Sequence, residues 1–243
     1  MSLVKSSFMS VVKKQYMFKL FSSSKFFLAI IVTQIIGILF VLTNAGGSMS
    51  SNNDIYSFIV ENNSTMQVFI FTIAYVTFAT ILLNVKEYKD MDFTFISNRM
   101  SSNVSNIGFL ITLSLFGAIT SALSGVLVRS IKYLLIDNSK IIESGFYLTP
   151  WEIMCSIGAN FLYILLASSV AYFCTILIKK SNIFIVVILA VVVLLPQKPL
   201  FVNIIEFYGK EHNFLIFMVK AIITSTIFFL ASVLVSNNQE VRE

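Results

Sequence analysis

The chain has 243 residues, of which 57% are hydrophobic and only 12% charged, and it carries a formal net charge of +5. Soluble domains carry about 25% charged residues, so this composition excludes a soluble enzyme, a disordered chain and a disulfide scaffold. The 17 Lys and Arg sit between apolar runs rather than in one basic stripe with interleaved aromatics, which excludes a nucleic-acid partner.

Residues 1–24 hold four lysines and a partial helical stripe of Val4, Phe8, Val11 and Phe18, broken at Gln15. A helix of this kind lies along a membrane surface with its lysines near anionic lipid, or serves only as a charged flank that sets topology. Six apolar runs follow, at 26–43, 66–85, 107–128, 153–178, 183–195 and 214–235. A bilayer crossing needs about 20 residues, and the 183–195 run falls short of that. The fold class expected is all-α, a single polytopic membrane domain over 1–243 with six transmembrane helices. A cleaved signal peptide ending near Ala45-Gly46-Gly47 is the other reading of the first run.

The basic residues set the orientation. With the N-terminus inside, Lys5, Lys13, Lys14, Lys19, Lys25, Lys86, Lys89, Arg99, Lys179, Lys180 and Arg242 are cytoplasmic, eleven in all. Arg129, Lys132, Lys140, Lys198 and Lys210 are then the five outside. That bias places both termini in the cytoplasm. Trp151, beside Pro150, suits an outer-interface anchor. Cys155 and Cys174 share one run, about 28 Å apart along a helix, beyond disulfide reach.

The inner segment 86–106 is the most informative stretch. Phe93, Ile96, Met100 and Val104 fall on one helical face, and Lys86, Glu87, Lys89, Asp90, Asp92 and Arg99 lie mostly off it. A short amphipathic helix of mixed charge suits docking into a groove on a partner, or it lies as a connector against its own bundle. In the third run Gly117, Ser121 and Gly125 recur every four residues, a spacing that lets helices approach closely, within one bundle or between two copies. Gln34 and Asn160 are the costliest neutral polar groups inside spans. They serve either a hydrated translocation path or interhelical hydrogen bonds.

Toward the C-terminus, Pro196 and Pro199 preclude a regular helix, while the apolar residues after them, Phe201 among them, favour burial. A broken segment that dips back toward the membrane before Glu206 meets both demands, and an amphipathic outer loop is the alternative. Lys220 lies about 10 Å inside the last run by helical rise. It snorkels, pairs with Glu152 or Glu206, or lines a cavity. No Gly-x-x-x-x-Gly-Lys-Ser/Thr loop is present, so the chain cannot hydrolyse ATP by that route. The single histidine, His212, lies outside any zinc-protease pattern.

Asp90, Thr94 and Ser97-Asn98-Arg99, set between the second and third runs, give the chain its resemblance to a known family. The arrangement resembles the membrane permease subunit of bacterial type-2 ABC exporters, although the proline that family usually carries near this Arg is absent. The resemblance implies an N-terminal interfacial helix and an ATPase-coupling helix carrying Lys86, Glu87, Lys89, Asp90, Asp92, Phe93, Ile96, Arg99 and Met100. It also implies a re-entrant outer gate at Pro196, Pro199, Phe201 and Glu206, while Gln34, Asn160 and Lys220 are, from the residues themselves, the candidates to line a translocation path. The partners implied are a cytoplasmic ATPase carrying ATP and Mg, a second permease copy, identical or related, and the lipid bilayer. The chain itself holds no cofactor. The small size and the Ile, Asn, Lys, Ser and Phe bias resemble permeases of low-GC Gram-positive bacteria, which export or confer immunity to antimicrobial peptides, in the bacterial cytoplasmic membrane. A six-span substrate-capture component and a peptide immunity or sensor protein are the alternatives. Tight ligand binding without an ATPase marks the first of these, and the absence of any ATPase partner marks the second.

Overall fold

The computed structural model describes residues 7–43, 48–53, 56–61, 66–85, 99–135, 149–181, 183–185, 203, 207–208 and 213–237. Helix α1 (Phe8–Ser22) starts at Ser7, whose hydroxyl accepts from the Ser10 amide at 3.3 Å. It ends at Ser23, and α2 (Ser24–Leu42) begins at the next residue. Strands β1 (Ser48–Asn53) and β2 (Tyr56–Glu61) pair antiparallel, Ser48 opposite Glu61 and Asn53 opposite Tyr56. The two strands form a hairpin between the first two apolar runs, and the other described elements are helices.

The remaining elements are α3 (Met66–Leu83), α4 (Arg99–Leu135), α5 (Pro150–Lys180) and α6 (Phe214–Asn237). Five helices, α2 to α6, are long and apolar enough to cross a membrane. They make the chain a polytopic, multi-pass membrane protein. Of the 183–195 run only Ile183–Ile185 is described, and it is helical; Asn203, Phe207 and Tyr208 are helical as well. Pro196, Pro199, Phe201 and Glu206 lie outside the described residues, as do Lys86, Glu87, Lys89, Asp90, Asp92, Phe93 and Ile96.

The main core gathers Phe26 and Ile30 from α2, Val76 from α3, Phe109, Leu110 and Leu113 from α4, Ile164 and Tyr172 from α5, and Phe229 from α6. Helix α4 is central, packing against each of α1, α2, α3, α5 and α6. Outward, α2 exposes Leu28, Ile35 and Leu39 and α6 exposes Leu215, Ile223 and Leu234. Faces this apolar are stable against lipid tails rather than water.

One sequence expectation changes here. The third apolar run, expected from Ile107, lies in a helix already formed at Arg99. Helix α4 starts at Arg99 and its apolar window runs from Met100 to Ile131, so Met100 and Val104 belong to the spanning helix itself. No Gly or Pro interrupts 99–107, so nothing in that stretch stops a helix. Helix α1 turns its stripe outward, the side expected to lie along a membrane surface: Phe8 and Phe18 are exposed, and the buried residues are Val12, Gln15 and Lys19. An apolar stripe seeks the nearest apolar medium, and beside a bilayer that medium is lipid, leaving the polar face to pack on protein.

Candidate functional site

The richest buried polar cluster lies where α1 crosses the first turns of α4. Residues 101–106 read Ser-Ser-Asn-Val-Ser-Asn, and all but Val104 are buried. Lys19, 6% exposed, points its ammonium into them. Its Nζ donates to Ser105 Oγ at 2.8 Å, to the Ser102 carbonyl at 3.4 Å and to Asn106 Oδ1. Ser105 spends its own hydrogen on the Ser102 carbonyl at 2.8 Å, so its lone pairs face Lys19. An ammonium has three hydrogens, and three acceptors meet it. Hydrogen bonds to a charged group contribute about 1.5–3 kcal/mol each, and the cluster needs that strength because burying a lone cation is costly.

Helix α5 joins the same cluster. The fully buried Tyr172 donates from Oη to Asn103 Oδ1 at 3.0 Å, tying α5 to α4. Gln15, one turn before Lys19, is 1% exposed, and neither its amide nitrogen nor its amide oxygen has a partner. Asn103 Nδ2 is likewise buried without one.

A second node lies deeper in the bundle. Gln34 Nε2 donates toward Thr120 Oγ1 at 2.9 Å, Thr72 Oγ1 at 3.1 Å and the Gly117 carbonyl at 3.3 Å. One side chain of α2 thereby reaches both α3 and α4. Asn160 Nδ2 donates to Ser121 Oγ at 3.1 Å, joining α5 to α4. Of the two uses open to Gln34 and Asn160, the geometry supplies the interhelical one. Gly117 and Ser121 belong to this packing inside the bundle: a Cβ at Gly117 would meet Thr72 Cγ2 at 3.1 Å.

Lys220 lies with Nζ 3.9 Å from the centroid of the Phe207 ring, a cation–π arrangement. Glu152 is engaged elsewhere, accepting from the Thr149 amide at 2.9 Å in the cap of α5. Arg99 opens α4, and Met100 beside it is exposed. Among the described residues no three His, Cys, Asp or Glu gather to hold a metal ion. Cys155 and Cys174 are both free thiols.

Nothing in the sequence singles out Asn103, Ser105, Asn106 or Tyr172 individually, and there Gln15 is only the break in a stripe and Lys19 one flanking charge among several. The available signal was the polar run 101–106 directly before an apolar span, with no helix breaker between them. Comparison with protein-family models, curated proteins and solved structures yields no match to this chain.

Proposed function

We propose that the chain is the membrane-spanning subunit of an ATP-driven exporter that moves a hydrophobic or amphipathic substrate, such as a peptide, out of a bacterial cell. One observation carries the reading. Helix α4 runs unbroken from Arg99, where the charged segment 86–98 ends, into the middle of the bundle, and it packs on each of α1, α2, α3, α5 and α6. Its 37 residues make a rod of about 55 Å, well beyond the roughly 30 Å hydrocarbon core. A force on segment 86–98 then has a stiff lever into the core. A separate ATPase gripping that segment on the cytoplasmic side would favour one arrangement of the bundle when nucleotide is bound and the other when it is released. Differential affinity for the two states does the work. ATP and Mg act on the ATPase, a second permease copy completes the path, and the 196–206 segment gates its outer end.

The test is purification of the chain from its native membrane with whatever ATPase accompanies it, followed by Asp90→Asn and Arg99→Ala. The variants should insert and retain the ATPase, yet lose most of the substrate-stimulated hydrolysis. Full coupling in both variants removes segment 86–99 as the docking point. An isolated chain that holds a small molecule tightly and has no ATPase is a substrate-capture protein instead.

A further inference from the structure

Helix α1 buries few residues against the rest of the protein. They are Val12, Gln15 and Lys19, so only one is apolar. Val11, Tyr16 and Leu20 are half-buried, Leu20 against the main core, while Phe8, Met9, Met17, Phe18 and Phe21 already face outward. Lifting α1 off α4 would therefore uncover little apolar surface, and its outward face can stay in the membrane interface throughout. The backbone has a joint in the right place. Ser23 leaves helical geometry at φ −104° and ψ 22° between α1 and α2, and α1 packs on α4 far more than on α2.

Two polar side chains one turn apart act in opposite senses on that contact. Lys19 holds it through three acceptors on α4. Gln15 weakens it, because a fully buried amide with neither end bonded forfeits the water it would have when α1 is lifted. We propose that α1 is a releasable strap, docked on α4 by Lys19 and kept from docking permanently by Gln15, with Ser23 as its hinge. Two states of nearly equal free energy can be shifted by any partner that prefers one of them. The inference stands apart from the exporter reading, since it concerns only where α1 lies.

The experiment uses the full chain in lipid nanodiscs, with Cys155→Ala and Cys174→Ala removing the native thiols. Tyr16→Cys and Gly108→Cys then provide a bridgeable pair, because the Tyr16 ring lies 3.3 Å from where a Gly108 Cβ would sit. A short bifunctional thiol reagent reads how often α1 is docked. Between two nearly equal states, where the docked fraction can at most about double, Gln15→Leu should raise the docked-to-lifted ratio read from bridging about fivefold, the lower bound for relieving one unmade buried hydrogen bond. Lys19→Met should lower it by at least as much, and Asn106→Ala should lower it less while leaving the lysine in place. A Gln15→Leu rate equal to or below the parent's overturns the strap, showing that α1 is fixed and that water completes the Gln15 amide. If Lys19→Met fails to insert, the Gln15 and Asn106 variants still decide the matter.

Discussion

Gly37 and Gly117 show how closely the helices approach one another. A Cβ at Gly37 would come within 3.0 Å of the Val68 Cα, so α2 and α3 touch backbone to backbone. At Gly117 the nearest atom is a side-chain methyl, Thr72 Cγ2 at 3.1 Å, and at Gly108 it is the edge of the Tyr16 ring at 3.3 Å. Backbone cannot step aside, a methyl can shift slightly, and the edge of a half-buried ring can swing away. Alanine substitutions should therefore destabilise in the order Gly37, Gly117, Gly108, with Gly37→Ala costing about 1–3 kcal/mol as overpacking does. Thermal unfolding midpoints in detergent test this, and a Gly108→Ala protein less stable than Gly37→Ala would contradict the packing described. Small residues at four-residue spacing were legible as a close-approach motif, but which neighbour they met was not. That choice depends on how α4 is rotated about its axis, which no single helix encodes.

At the scale of elements, helix α5 has a start that its local sequence explains. Thr149 accepts from the Glu152 amide at 3.3 Å, Glu152 accepts back from the Thr149 amide, and Pro150 occupies the first turn. That reciprocal pair satisfies two otherwise unpaired donors. Replacing such a cap costs about 1 kcal/mol, but α5 is held by the bundle along most of its 31 residues. Thr149→Ala should speed hydrogen exchange at Trp151 to Ile153 and leave the unfolding midpoint nearly unchanged. A large midpoint shift would mean that this helix end supports far more than itself. Helices α1 and α4 carry the other lesson of this scale. In both, the described members of the apolar face stay on the outside, Phe8 and Phe18 on α1 and Met100 on α4, and the contact forms through Lys19 and the 101–106 polar run. Periodicity tells which residues share a face; it does not say whether that face meets protein or lipid.

For the whole molecule the open quantity is the number of crossings. Five described helices suit a membrane, and five crossings would leave the two ends on opposite sides. The distribution of eleven basic residues against five expects both ends in the cytoplasm, which requires an even number. The missing crossing is expected from the run that begins at Ile183. A reporter fused after Asn237 should therefore read cytoplasmic, as should one placed before Phe8. A C-terminal reporter found outside would fix the count at five and reverse the assignment of the later loops. Both results leave α1 and the first turns of α4 on the same side, because Lys19 binds them together.

Composition and run length by themselves determined that this is a helical membrane protein and roughly where its five described spans lie. These follow from the thickness and polarity of the bilayer, which act on each segment separately. The tertiary structure alone decided that Lys19 enters the 101–106 cluster, that Gln34 and Asn160 bind neighbouring helices, and that Gln15 is buried without a partner. Those are choices between surfaces far apart in sequence. In a bilayer the hydrophobic effect does not make them, because lipid tails accept apolar side chains as readily as a neighbouring helix does. Polar contacts and close packing make them instead, and these exist only once the helices have come together.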